Sequence, residues 1–162
     1  MKGDPKVIEI LNRALALELT AINQYLVNSK LLENIGATKL AKMARDESFG
    51  EMRHAELLID RIVYLEGKPE MSYSASIVTW STLGEMLGQQ LDLERDAVKL
   101  YNDGISVALA SNDAGSRMLM EKILQDEEEE VEWYEAQLEL LERIGEAAYL
   151  QLQAESAEED DE

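Results

Sequence analysis

Four stretches of the chain, each nearly thirty residues long, carry apolar side chains at spacings of three and four with few helix breakers. Only two prolines occur in 162 residues. Pro5 follows Asp4, so a capping residue precedes the position where a missing N–H costs nothing. Ile8, Leu11, Leu15, Ile22, Leu26 and Leu32 then mark a helical stripe that ends at Gly36. A second helix is expected from about Thr38 to Leu65, terminated by Gly67-Lys68-Pro69. Residues 70–80 lack a helical period and read as an extended connection. Thr82, with Glu85 three residues on, starts a third helix that runs to about Ala110. Ser111-Asn112-Asp113 turns the chain into a fourth helix, about Ala114 to Ile144. Gly145 breaks it before a short apolar helix around Ala147–Gln153.

Short turns make helices one and two, and helices three and four, antiparallel hairpins. The middle connection is long enough to cross the bundle. The expected fold is all-α: one domain, residues 1–154, a four-helix bundle with one long crossover and a short fifth helix. Residues 155–162 form an acidic tail, expected to be solvated and disordered.

Composition narrows the function. With no cysteine, disulfide scaffolds, thiol catalysis and iron–sulfur clusters are excluded, and a lone histidine leaves little room for a zinc enzyme. A net charge of −19 argues against nucleic acid and is compatible with attracting cations. No apolar run approaches the roughly 20 residues of a membrane helix. No apolar segment follows a basic start, so a cytoplasmic location is expected.

Acid sits inside each apolar stripe. Glu18 has Leu11, Ala14 and Leu15 on one side and Ala21, Ile22 and Tyr25 on the other. Glu94 stands in the same relation to Leu87, Leu91, Ala97 and Tyr101, and Glu51 and His54 lie between Ala44 and Leu58. At about 100° per residue, Glu127 shares the azimuth of Ile123, Val131 and Tyr134. Glu130 falls at that stripe's edge, while Glu128, Glu129, Glu132 and Glu135 point away.

These positions repeat. A shift of 76 residues maps Glu18 onto Glu94, Tyr25 onto Tyr101, Glu51 onto Glu127 and His54 onto Glu130. The two hairpins therefore read as copies related by a pseudo-twofold axis, each offering a lone Glu and a Glu-x-x-(His/Glu) pair. Residues three apart share a helix face, so each pair is expected to hold one ion while the lone glutamates bridge. Buried isolated carboxylates cost several kcal/mol each, so this set requires cations. Oxygen donors with one imidazole suit iron or manganese.

The opening Met1-Lys2-Gly3-Asp4, the stretch Glu18-Leu19-Thr20-Ala21-Ile22-Asn23-Gln24-Tyr25, the motif Glu51-Met52-Arg53-His54-Ala55 and Leu65-Glu66-Gly67 resemble the bacterioferritins, the haem-containing branch of the ferritin family. The likeness extends to Gln153. It implies a ferritin-like shell of twenty-four subunits, with a di-iron ferroxidase centre in each bundle and haem b between subunits. On that resemblance Glu18, Glu51, His54, Glu94 and Glu127 fall on iron-ligand and catalytic positions, and Met52 on the haem-ligand position. Iron(II), ferric mineral and an electron-donor protein are the implied partners.

The chain departs from the family at two linked positions. The family's second pair is Glu-x-x-His, and here it ends in Glu130. A family carboxylate at position 126 orients the first imidazole, and one at position 50 orients the second. Asp126 is present and position 50 is Gly50. Two readings follow: Glu130 joins the metal ligands of an active, more negative centre, or the chain is a haem-bearing subunit of a mixed shell with impaired oxidation. A third is a di-iron or di-manganese enzyme acting on oxygen or peroxide.

Overall fold

The computed structural model describes residues 1–154, and the acidic tail 155–162 lies outside them. Five helices follow in order: α1 Pro5–Asn34, α2 Thr38–Tyr64, α3 Leu83–Ala110, α4 Ala114–Ile144 and α5 Glu146–Ala154. The local signals account for most of the boundaries. The Asp4 carboxylate accepts the Lys6 N–H at 2.8 Å, and the Thr82 hydroxyl accepts the Glu85 N–H at 3.1 Å. Gly36 and Gly145 both adopt φ 82°, the left-handed conformation that glycine enters freely. At the end of α2 the left-handed residue is Glu66, φ 60°, rather than the expected Gly67. Gly67 is needed for space: a Cβ there would lie 2.8 Å from Ile8 Cγ2 and 3.1 Å from the Ile62 carbonyl oxygen.

Helix α1 packs along α2, α3 packs along α4, and the hairpins meet mainly through α1 and α3. The end of α2 returns to the start of α1, where the Gly3 N–H donates to the Leu65 carbonyl at 2.9 Å. From there the crossover climbs along α1. Ser74 N–H donates to the Thr20 hydroxyl and Val78 N–H to the Gln24 side chain, each at 2.9 Å. The crossover therefore delivers α3 to the opposite end of the bundle, which α5 closes against α2, α3 and α4.

Two apolar cores fill the bundle. One is built from Val7 to Leu17 of α1, Ala55 to Ile62 of α2, Ala97 to Ala108 of α3 and Met120 and Ile123 of α4. The other takes Ala21 to Leu32, Leu40 to Ala44, Leu83 to Leu91, Tyr134 and Tyr149. On every long helix the gap between the two cores falls at the acidic residue that interrupts the stripe. One expectation fails in detail. Leu26, counted in the α1 stripe, is 45 % exposed, because a step of about 100° from fully buried Tyr25 turns it outward.

Candidate metal centre

Glu18, Glu51, Glu94 and Glu127 are each 1 % exposed and His54 is 7 % exposed, so the layer between the two cores is a buried, acidic slab. Ligand atoms of Glu18, Glu51, His54 and Glu127 all lie within 4.8 Å of one another. The same holds for Glu51, Glu94, Glu127 and Glu130. The two groups share Glu51 and Glu127. The expected bridges, Glu18 and Glu94, each belong to one group only, whereas the glutamates of the two pairs belong to both. The physical reason is a set of reciprocal hydrogen bonds. Tyr101 on α3 donates to Glu18 on α1, and Tyr25 on α1 donates to Glu94 on α3 at 2.9 Å. Each lone carboxylate is thus held by the repeat-related tyrosine of the opposite hairpin.

The imidazole is oriented from both sides. His54 Nδ1 lies 3.0 Å from Glu51 Oε2 and 3.1 Å from Glu127 Oε1. Nε2 lies 2.9 Å from Asp126 Oδ2, outside the slab. A carboxylate on Nε2 fixes that nitrogen as the proton carrier and leaves Nδ1 for a metal. At the other half, the Tyr25 hydroxyl oxygen also lies 2.7 Å from Glu130 Oε2; its single proton goes to Glu94, so here the protonated Glu130 carboxyl is the donor and Tyr25 accepts. Glu130 is partly buried and faces Glu47.

Burial and mutual repulsion govern the protonation of this slab without a cation. Desolvation pushes the carboxyls of Glu18, Glu51, Glu94 and Glu127 above the usual range, and neighbouring carboxylates reinforce it. Glu130 is pushed up to about 11 by burial and by Glu51, Glu127 and Glu47. Burial opposes a charge on His54, but the carboxylates of Glu127, Glu18 and Glu51, which accept from the ring, outweigh it and hold the ring protonated. Glu18 Oε2 and Glu51 Oε1 are buried with no hydrogen-bond partner. Such desolvated acceptors are costly alone, and a bound cation would satisfy them, so the residues present fit a metal pair. A cleft of about 550 Å³ reaches the slab from one side, lined in part by Glu47, Gly50, Asp126, Glu129 and Glu130.

The model of the ferritin-like domain family matches residues 8–144. A bacterioferritin of Streptomyces coelicolor is 44 % identical over 160 residues, covering 99 % of this chain and 96 % of the relative. One from Brucella melitensis is 43 % identical over 98 % of this chain and 99 % of the relative. A Mycobacterium bovis bacterioferritin is 44 % identical over 92 % and 94 %. The chain belongs to the bacterioferritin family.

In this chain every ligand candidate read from sequence sits in the slab except Met52. Met52 is 51 % exposed on the outer face of α2, about 100° around the helix from Glu51. The Ser48 hydroxyl donates to the Ile22 carbonyl at 2.8 Å, which fixes the register of α1 against α2 there. Leu26, Phe49 and Met52 are exposed apolar residues on this part of the two helices. Sequence reasoning missed Gln90 and Glu47, and it took Tyr25 and Tyr101 only as stripe residues. The shift of 76 that maps one tyrosine onto the other was the available signal. Among the described residues, no helix is long and apolar enough to cross a membrane.

Proposed function

We propose that this chain is an iron-storage subunit of a ferritin-like shell, in which iron(II) is oxidised inside each bundle and stored as ferric mineral. The observation that carries the reading is the pair of overlapping ligand groups sharing Glu51 and Glu127. Iron(II) is the substrate. The acidic cleft past Glu47, Asp126 and Glu130 attracts it, and the slab exchanges its protons for two ions. His54 releases the Nδ1 proton while Asp126 retains the Nε2 contact. Tyr101 and Tyr25 each hold one oxygen of Glu18 and Glu94, leaving the other for iron. Each iron(II) then loses one electron to an oxidant of the dioxygen or peroxide class.

Glu130 sets the electrostatics. Five carboxylates and a neutral imidazole bring five negative charges against four positive charges from two ferrous ions, and six after oxidation. A histidine in place of Glu130 would leave four negative charges. The extra carboxylate therefore favours the ferric state and holds product iron more tightly. Iron(II) oxidation by the purified protein tests the reading. A rate well above that of a Glu18→Ala, Glu127→Ala variant is expected, and equal rates would refute it.

The shell is proposed as a homo-oligomer or mixed 24-mer, and the exposed patch of Leu26, Phe49 and Met52 favours haem b at a subunit contact. Met52 would supply a thioether ligand there, with the patch burying the macrocycle. Bound haem supplies a one-electron route that a donor protein could use to reduce stored iron. If oxidation is slow, this haem-bearing role is the favoured one. Purified protein is expected to carry haem and to lose it in Met52→Leu; haem retained in that variant overturns the assignment.

A further inference from the structure

Four buried or half-buried polar side chains lie outside the metal slab and form one connected line. Gln24, Asn28 and Gln90 are 6 %, 2 % and 1 % exposed, and Trp80 is partly buried. The line begins in the crossover, where Val78 N–H donates to Gln24 Oε1 and Gln24 Nε2 donates back to the Val78 carbonyl, both at 2.9 Å. Gln24 Nε2 and the Trp80 indole N–H both donate to Asn28 Oδ1 at 3.0 Å. Asn28 Nδ2 donates to Gln90 Oε1 at 3.3 Å, and Gln90 Nε2 donates to Glu94 Oε1 at 2.6 Å.

The direction of this line is determined by chemistry rather than by choice of amide orientation. A peptide N–H and an indole N–H can only donate. Val78 N–H therefore turns Gln24 Oε1 toward it, and Trp80 turns Asn28 Oδ1 toward its ring. Asn28 must then offer its NH₂ to Gln90, and Gln90 must offer its own NH₂ to Glu94. A flip at any member would set two donors or two acceptors against each other in a buried site.

We propose that Gln90, oriented through Asn28 by Trp80 and Gln24, is a positioning residue for Glu94, and that this amide relay ties the crossover to the half-site containing Glu94 and Glu130. It rests on the two-metal reading above. Gln90 and Tyr25 together occupy Glu94 Oε1, so the other oxygen faces the metal. The pseudo-twofold counterpart of Gln90 is Ala14, so the Glu18 half-site has no such support. The half-site with the additional acid is the one that receives the additional donor.

The test is a cobalt(II) titration of the metal-free full-length protein, followed by visible absorption, for wild type and three variants. Asn28→Asp is nearly isosteric. The second oxygen it introduces accepts, so Gln90 must turn its NH₂ toward that new carboxylate and its oxygen to Glu94. Gln90→Leu removes the donor, and Trp80→Phe removes the group that orients Asn28. Wild type is expected to take up two cobalt ions per chain. Asn28→Asp and Gln90→Leu are expected to weaken one of them about 10- to 100-fold and alter its absorption band, with the other unchanged. Trp80→Phe should act in the same direction and by less, and it decides the matter if Asn28→Asp does not fold. Two cobalt ions bound with wild-type affinity in Gln90→Leu and Trp80→Phe, or equal weakening of both ions, overturns the relay. Failure of wild type to bind two ions overturns the two-metal reading instead.

Discussion

Loading the metal slab should expel protons in a number that the structure sets. Without a cation, burial and the charges of Glu51, Glu127 and Glu47 push Glu130 up to about 11, and His54 is held protonated by Glu127, Glu18 and Glu51. Both therefore carry a proton at pH 7, and both must lose it to ligate a metal. At least two protons per two-metal centre should appear in solution, with more from Glu51 and Glu94, whose carboxyls are also raised. For Glu130 alone, the gap between about 11 and 7 corresponds to on the order of 5 kcal/mol that metal binding must offset. Apparent affinity should consequently rise about tenfold per pH unit for each proton released. The assay is anaerobic cobalt(II) addition to metal-free protein in weak buffer with a pH indicator, repeated for Glu130→Gln. The variant should release about one proton fewer. Uptake of two ions without proton release, or identical release in Glu130→Gln, would refute the reasoning.

Three further outcomes follow from named contacts. Metal-free protein should lose thermal stability as pH rises from about 5 to 8, because raised carboxyls keep protons in the native state that the unfolded chain releases near 4.5; bound metal should remove that slope. Tyr101→Phe leaves Glu18 Oε1 without its buried donor, and calorimetry of the metal-free protein should show a loss of about 1–3 kcal/mol. Arg61→Ala removes a 2.6 Å pair with Asp113 and a 2.9 Å bond to Ser116, and denaturant unfolding should report a loss of about 2–3 kcal/mol. Burial opposes the Asp113 charge, but bonds from Ser116 and Arg61 hold its carboxyl below the usual range. The stability from that pair is thus present above the ordinary aspartate range and lost on acidification, a loss that should be smaller in the variant, where only the Ser116 bonds remain.

Much of this arrangement was legible in sequence because local rules act locally. Asp4-Pro5, Thr82, Gly36 and Gly145 mark helix ends whose partners lie within a few residues, and the observed caps follow them. Helical phase placed Glu18, Glu51, Glu94 and Glu127 inward, and the 76-residue shift paired Tyr25 with Tyr101. What was not legible depends on packing. Spacing along one helix cannot say which glutamates meet across the bundle, so it did not show that Glu51 and Glu127 are the two common to both ligand groups. Gln90 and Asn28 are 62 residues apart, and their bond exists only because α1 and α3 pack together. Leu26 satisfies the stripe by spacing yet faces outward, since a periodicity of three and four drifts around the helix. The acidic residues from 155 onward lie outside the described structure.

The central claim is that Glu130 completes a second metal position in place of an imidazole. Anomalous diffraction from iron(II)-soaked crystals tests it most directly. Two iron peaks per bundle are predicted, one among Glu18, Glu51, His54 and Glu127 and one among Glu51, Glu94, Glu127 and Glu130. A single peak beside His54, with Glu130 turned toward Glu47 and away from iron, would contradict it.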